Sequence, residues 1–108
     1  MSETDTPVIV YVTCPDLATA ELLGRELVEM RLAACANILP GMTSIYRWQG
    51  TIEQSTEAVL LLKTRSTLAE GVIEAVVARH PYETPAVLRI DVTGGAAGYL
   101  AWLDGETR

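Results

Sequence analysis

Phenylalanine is absent from this 108-residue chain, histidine and lysine occur once each, and aromatic residues make up only 6%. Basic residues are also scarce, with 8 Lys and Arg against 14 Asp and Glu and a net charge of -6. A nucleic-acid binder needs a basic face, so this balance argues against one. It argues equally against an anionic membrane surface. No long hydrophobic run exists. The apolar stretch at 58–62 falls far short of the ~20 residues that span a bilayer. The single histidine, His80, excludes any His-His acid-base arrangement. Two cysteines without a C-x-x-C spacing make neither a disulfide framework nor a local zinc site. G-x-S-x-G and a glycine-rich phosphate loop are missing too.

What is present suits one globular domain. Hydrophobic residues reach 49%, enough to form a core without metal or disulfide staples. The first residues are acidic and polar, with no basic or apolar region of a signal peptide. The expectation is a cytoplasmic protein with a flexible lead-in at 1–7 and a single domain at 8–108. Cys14 and Cys35 then read as thiols.

Residues 8–12 are apolar and β-branched, the pattern of a buried strand. Asp16 is a good N-cap, and Ala20, Leu23, Leu27 and Met30 recur at helical spacing behind it. Arg31 closes that helix with the favourable sign. Pro40-Gly41 marks a bend or bulge. Strand formers at 43–48 and 51–64 flank Gln49-Gly50, a hairpin turn. The apolar residues at 58–62 suit a central strand covered on both faces. Strands average about five or six residues, so this hairpin exceeds one domain's needs and should pair with another chain. Thr67 and Glu70 form a capping box for a second helix, which His80-Pro81 ends. Leu88, Ile90 and Val92 alternate with Arg89 and Asp91 in a half-buried strand, and Tyr99 and Trp102 lie in a short terminal helix. The order βαββαβ is that of an α+β ferredoxin-like sandwich. Both helices cover one sheet face, and the other needs a partner, which a small closed oligomer supplies.

Few residues carry chemistry by their type alone. His80 reads either as a metal ligand or acid-base group in the loop 80–85, or as a histidine at a helix C-terminus. Cys14, Cys35 and His80 offer soft donors, but their long spacing favours buried, inert thiols. Lys63 ends the most apolar strand, facing a pocket or snorkelling from the sheet edge, with Glu57 as its candidate partner.

In order along the chain, Leu32-Ala33-Ala34-Cys35, Ser44-Ile45-Tyr46-Arg47-Trp48-Gln49-Gly50, Leu62-Lys63-Thr64, His80-Pro81-Tyr82-Glu83-Thr84-Pro85 and Tyr99-Leu100-Ala101-Trp102-Leu103 resemble the CutA divalent-cation-tolerance family. The resemblance runs from about Val8 to the C-terminus. It implies a ferredoxin-like homotrimer clasped by its long hairpins, non-enzymatic, with a role in response to divalent metal ions and binding of copper or a related cation. No cofactor is required. The resemblance also implies Cys35 and His80 as metal contacts, and Trp48, Glu57, Lys63 and Tyr82 as lining of inter-subunit clefts. The alternative is a PII-like trimeric signalling module binding a small anion or nucleotide in those clefts, with Lys63 as the cationic contact.

Overall fold

The computed structural model describes residues 5–108. Strand β1 (Pro7–Cys14) alternates as its β-branched sequence requires, burying Val8, Val10, Val12 and Cys14 on one face. Pro7 opens it, where a missing N–H costs least. Asp16 then caps α1 (Leu17–Glu29), its Oδ1 accepting the Thr19 N–H at 2.8 Å. Ala20, Leu23, Gly24 and Leu27 form the buried stripe of α1. Gly24 lets the helix sit close to the sheet, since a Cβ there would lie 2.9 Å from the Ala36 Cβ.

The exit of α1 differs from expectation. Arg31 is outside the helix, in the left-handed region at φ 60. Its N–H donates to the Val28 carbonyl and that of Leu32 to the Leu27 carbonyl. That pair of bonds is a Schellman cap at a position where glycine is usual. The Arg31 guanidinium does not interact with the helix end. It donates to the Gly105 carbonyl at 3.1 Å.

Strands β2 (Cys35–Trp48) and β3 (Thr51–Arg65) form the long hairpin. Gln49 and Gly50 both have positive φ, as a two-residue type I′ turn demands. The pairing shifts from Leu39 opposite Val59 to Met42 opposite Glu57, so Pro40-Gly41 is the expected bulge, with Gly41 at φ 73. β3 continues into α2 (Ser66–Arg79), which β4 (Val87–Asp91) and α3 (Ala97–Glu106) follow. The four strands are antiparallel in the order β2-β3-β1-β4, which is the ferredoxin-like topology. Val8, Val10, Val12, Leu60 and Leu62 from the sheet meet Leu23, Leu27, Val72 and Val76 from the helices in one core.

Two further expectations are corrected. The Thr67–Glu70 capping box does not form: α2 begins two residues earlier, at Ser66, and Asp5 caps it from outside. Asp5 accepts from the Thr67 N–H at 3.2 Å, the Thr67 and Ser66 hydroxyls at 3.1 and 3.0 Å, and Arg65 Nη1 at 3.0 Å. Burial alone would raise the Asp5 carboxyl, but these donors outweigh it and hold it below its ordinary value. Of the expected lead-in, residues 1–4 lie outside the described residues. Asp5 is buried and Pro7 already belongs to β1. In β4 the apolar Leu88 and Ile90 are exposed and pair with Tyr11 and Ile9 on the sheet face away from the core. Val87 instead packs on the core.

The described residues extend 46 × 25 × 22 Å. The long axis reflects the hairpin. β1 pairs with β3 only from Ala58 to Arg65. Residues 51–57 therefore pair with β2 alone and project about 23 Å at the usual strand rise. Ile45, Trp48 and Ile52 are exposed on this projection.

Candidate functional site

The hairpin's alternation builds the site. Met42 lies opposite Glu57, Ser44 opposite Ser55, and Tyr46 opposite Glu53, so these six share one face. Tyr11 and Thr13 of β1 and the segment Tyr82, Glu83, Thr84 and Ala86 close the side. The result is a groove of about 680 Å³ whose outer end reaches Trp48. Its lining includes Glu53, Glu57 and Glu83 and contains no Lys, Arg or His.

Glu57 is the buried charge of this groove, 7% exposed. The Tyr82 hydroxyl donates to its Oε2 at 2.7 Å and the Ser55 hydroxyl to its Oε1 at 3.3 Å. Burial, and then the bond to Glu57, hold the Tyr82 phenol well above its usual value, so it stays a donor. No ion pair of Glu57 occurs among the described residues.

His80 orients Tyr82. It ends α2, and its Nε2 lies 2.8 Å from the Thr13 carbonyl, which can only accept. Nε2 therefore carries the proton, and Nδ1 accepts the Tyr82 N–H at 3.1 Å. Both ring nitrogens are engaged, and the ring tilts against Tyr82 at 4.9 Å between centroids.

The expected metal contacts are not brought together within one chain. Cys35 opens β2 opposite Lys63, whereas His80 holds Thr13, which lies opposite Val59. Four residues along β3 separate them, about 13 Å. Cys35 is a free, half-buried thiol with Sγ 3.6 Å from Asn37 Oδ1. Among the described residues no three of His, Cys, Asp and Glu gather as a metal ion would need. Cys14 is fully buried, and burial, with the charges of Asp16 and Glu57, pushes its thiol up to about 11.

Of the expected cleft residues, Trp48, Glu57 and Tyr82 line the groove together. Lys63 does not. Its ammonium stands 5.4 Å over the Tyr99 ring, so it is no partner of Glu57. Tyr11, Met42 and Glu53 were not singled out from the sequence, although the alternation with Tyr46 and Trp48 places Met42 on their face.

Fold and groove together define a small ferredoxin-like α+β protein with an acidic, aromatic groove on its hairpin. The family model described as CutA1 divalent ion tolerance protein matches residues 8–106. The divalent-cation tolerance protein CutA of Escherichia coli is 41% identical over 107 residues, covering 99% of this chain and 96% of that protein. The protein CutA, chloroplastic, of Arabidopsis thaliana is also 41% identical over 107 residues, and the chain spans 59% of its length. The crystal structure of CutA from Xylella fastidiosa superposes with a TM-score of 0.92 at 42% identity, covering 95% of this chain and 99% of that one. The chain belongs to the CutA1 divalent ion tolerance protein family. No helix among the described residues is long and apolar enough to cross a membrane.

Proposed function

We propose that the chain is a cytoplasmic, non-enzymatic homotrimer that takes part in tolerance to divalent metal ions and binds copper or a related cation. The observation that carries this reading is the kinship along residues 8–106 with a family described by divalent ion tolerance. Cys35 is the stronger candidate contact, because its thiol is free and half-buried at the start of an edge strand. His80 must surrender a hydrogen bond to Thr13 or Tyr82 before it ligates, which costs about 1–3 kcal/mol. Its committed ring also leaves no free imidazole base for catalysis. Three features support assembly. Leu88 and Ile90 are bare on the sheet face opposite α1 and α2, the hairpin projects beyond β1, and β2 and β4 are open edges.

Isothermal titration of Cu(II) and Zn(II) into metal-free protein, with Cys35→Ser and His80→Ala in parallel, tests the metal contacts. Weakened binding in Cys35→Ser is the expected result, and unchanged binding in both variants removes these residues from the reading. Sedimentation equilibrium tests the assembly. A monomer mass with the fold intact refutes the trimer.

A further inference from the structure

We propose that His80 is a positioning residue, and that His80, Tyr82 and Glu57 form a brace that fixes the direction of the projecting hairpin at its base. The brace stands apart from the metal reading, since it consists of hydrogen bonds between protein groups alone.

Two backbone features that let a hairpin swing coincide at one level. β1 stops pairing with β3 at Cys14 opposite Ala58, so Glu57 is the first residue of β3 without a β1 neighbour. Across from it, β2 has just passed the Pro40-Gly41 bulge, and Met42 opposite Glu57 is the first pair beyond it. A bulge bends its strand and interrupts the ladder. Residues 43–56 then continue as a two-stranded ribbon, which alone is only marginally stable in water.

Side chains grip the Met42–Glu57 pair on both strands. The Tyr82 hydroxyl donates to Glu57 Oε2 at 2.7 Å, and the Tyr11 hydroxyl donates to the Met42 sulfur at 3.5 Å. Tyr11 is held by the β1 ladder. Tyr82 lies outside every helix and strand, so other bonds must place it. His80 supplies them. Its backbone N–H donates to the Val76 carbonyl at 2.9 Å, its Nε2 to the Thr13 carbonyl at 2.8 Å, and its Nδ1 accepts the Tyr82 N–H at 3.1 Å. One imidazole thus joins the end of α2, the end of β1 and the loop that carries Tyr82. The residue is only 8% exposed, so little water competes for these bonds. Outward of the Met42–Glu57 pair, among the described residues, no side-chain hydrogen bond or ion pair ties 43–56 to the body of the domain. The arm carries Tyr46 and Trp48, so the brace also sets where the groove's outer wall stands.

Backbone amide order parameters from NMR relaxation, measured on the intact, assembled protein, test the brace. In the wild type they should be about 0.85 in the arm and in β1 alike. Tyr82→Phe keeps the ring and loses the donor to Glu57, whereas His80→Ala loses both imidazole bonds. Each should lower the order parameters at 43–56 toward ~0.6 and leave those at 8–12 unchanged, with circular dichroism and assembled mass preserved. A loss of global stability alone moves neither set, because relaxation reads the folded state. His80→Gln keeps an N–H donor for Thr13 and a carbonyl acceptor for Tyr82, and should restore the wild-type values. Cys35→Ser, which tests the metal contacts, should leave the arm unchanged, so failure of one reading is distinguishable from failure of the other. Unchanged values at 43–56 in both Tyr82→Phe and His80→Ala overturn the proposal, and are what a hairpin held by neighbouring copies alone would give. An equal fall in the arm and in β1 overturns it too. So does a His80→Gln variant as loose as His80→Ala.

Discussion

Replacing Asp5 with alanine removes one carboxylate that holds three consecutive residues. Asp5 accepts from Arg65, Ser66 and Thr67 at the start of α2. Losing a helix cap costs about 0.5–2 kcal/mol. Losing a charged hydrogen bond adds about 1.5–3 kcal/mol. Stranding a buried charge outright would cost ~3–5 kcal/mol, but Arg65 keeps Thr107 Oγ1 at 3.0 Å, the Thr107 carbonyl at 3.1 Å and Asp104 at 3.6 Å. The expected destabilisation of Asp5→Ala is therefore about 2–4 kcal/mol at neutral pH. Asp5→Asn keeps one acceptor and should cost roughly half of that. Urea unfolding at one fixed protein concentration measures both, since assembly makes stability concentration-dependent. The sign with pH follows from the carboxyl being held below its ordinary value. Its stabilisation is complete above the ordinary carboxylate range and is lost as pH falls through the lowered value. The gap between wild type and Asp5→Ala should therefore close in acid. A neutral-pH difference within about 0.5 kcal/mol, or a gap that widens in acid, refutes the assignment.

Gly24→Ala should destabilise by about 1–3 kcal/mol in the same unfolding assay, because the new methyl meets Ala36 at 2.9 Å and Leu60 at 3.3 Å. A neutral effect would show that α1 can move off the sheet freely. Tyr82→Phe leaves Glu57 Oε2 without its phenol donor and should cost about 1–3 kcal/mol, again by denaturant unfolding. Cys14 has no exposed surface and a thiol raised to about 11, so a thiol reagent at pH 8 should modify Cys35 first and Cys14 only on unfolding. Mass spectrometry of the labelled peptides checks the order, and equal rates at the two positions contradict it.

Local rules made much of the fold legible. Asp16 caps α1 as its side chain predicts, Pro40-Gly41 makes the bulge, and residues 58–62 lie in a strand flanked by β2 and β1. Rules that look only a few residues away failed where a distant group intervened. Thr67 is bonded not to Glu70 but to Asp5, 62 positions away. Lys63 and Glu57 sit close in sequence, yet Tyr99 and Tyr82 claim them. Alternation in β4 identified the apolar residues but not the side they face, because a strand's period cannot say which face carries the helices. In the groove, Trp48, Glu57 and Tyr82 were expected together through family likeness, and no local spacing links Tyr82 to Glu57. Their meeting depends on β1 placing Thr13 under His80.

Arg65 has a topological consequence. It bonds Asp5 through one guanidinium nitrogen and Thr107 through two others, so both ends of the described chain converge on a single side chain. The polypeptide is thus a ring closed without a covalent bond. A short peptide linker joining Arg108 to Asp5 would close it covalently with little strain. New ends could then be opened in the 92–96 connection, away from the hairpin and its groove. The closed circular chain, before any new ends are opened, would lose less chain entropy on folding, because the linker restrains the unfolded state while the native contacts are already in place.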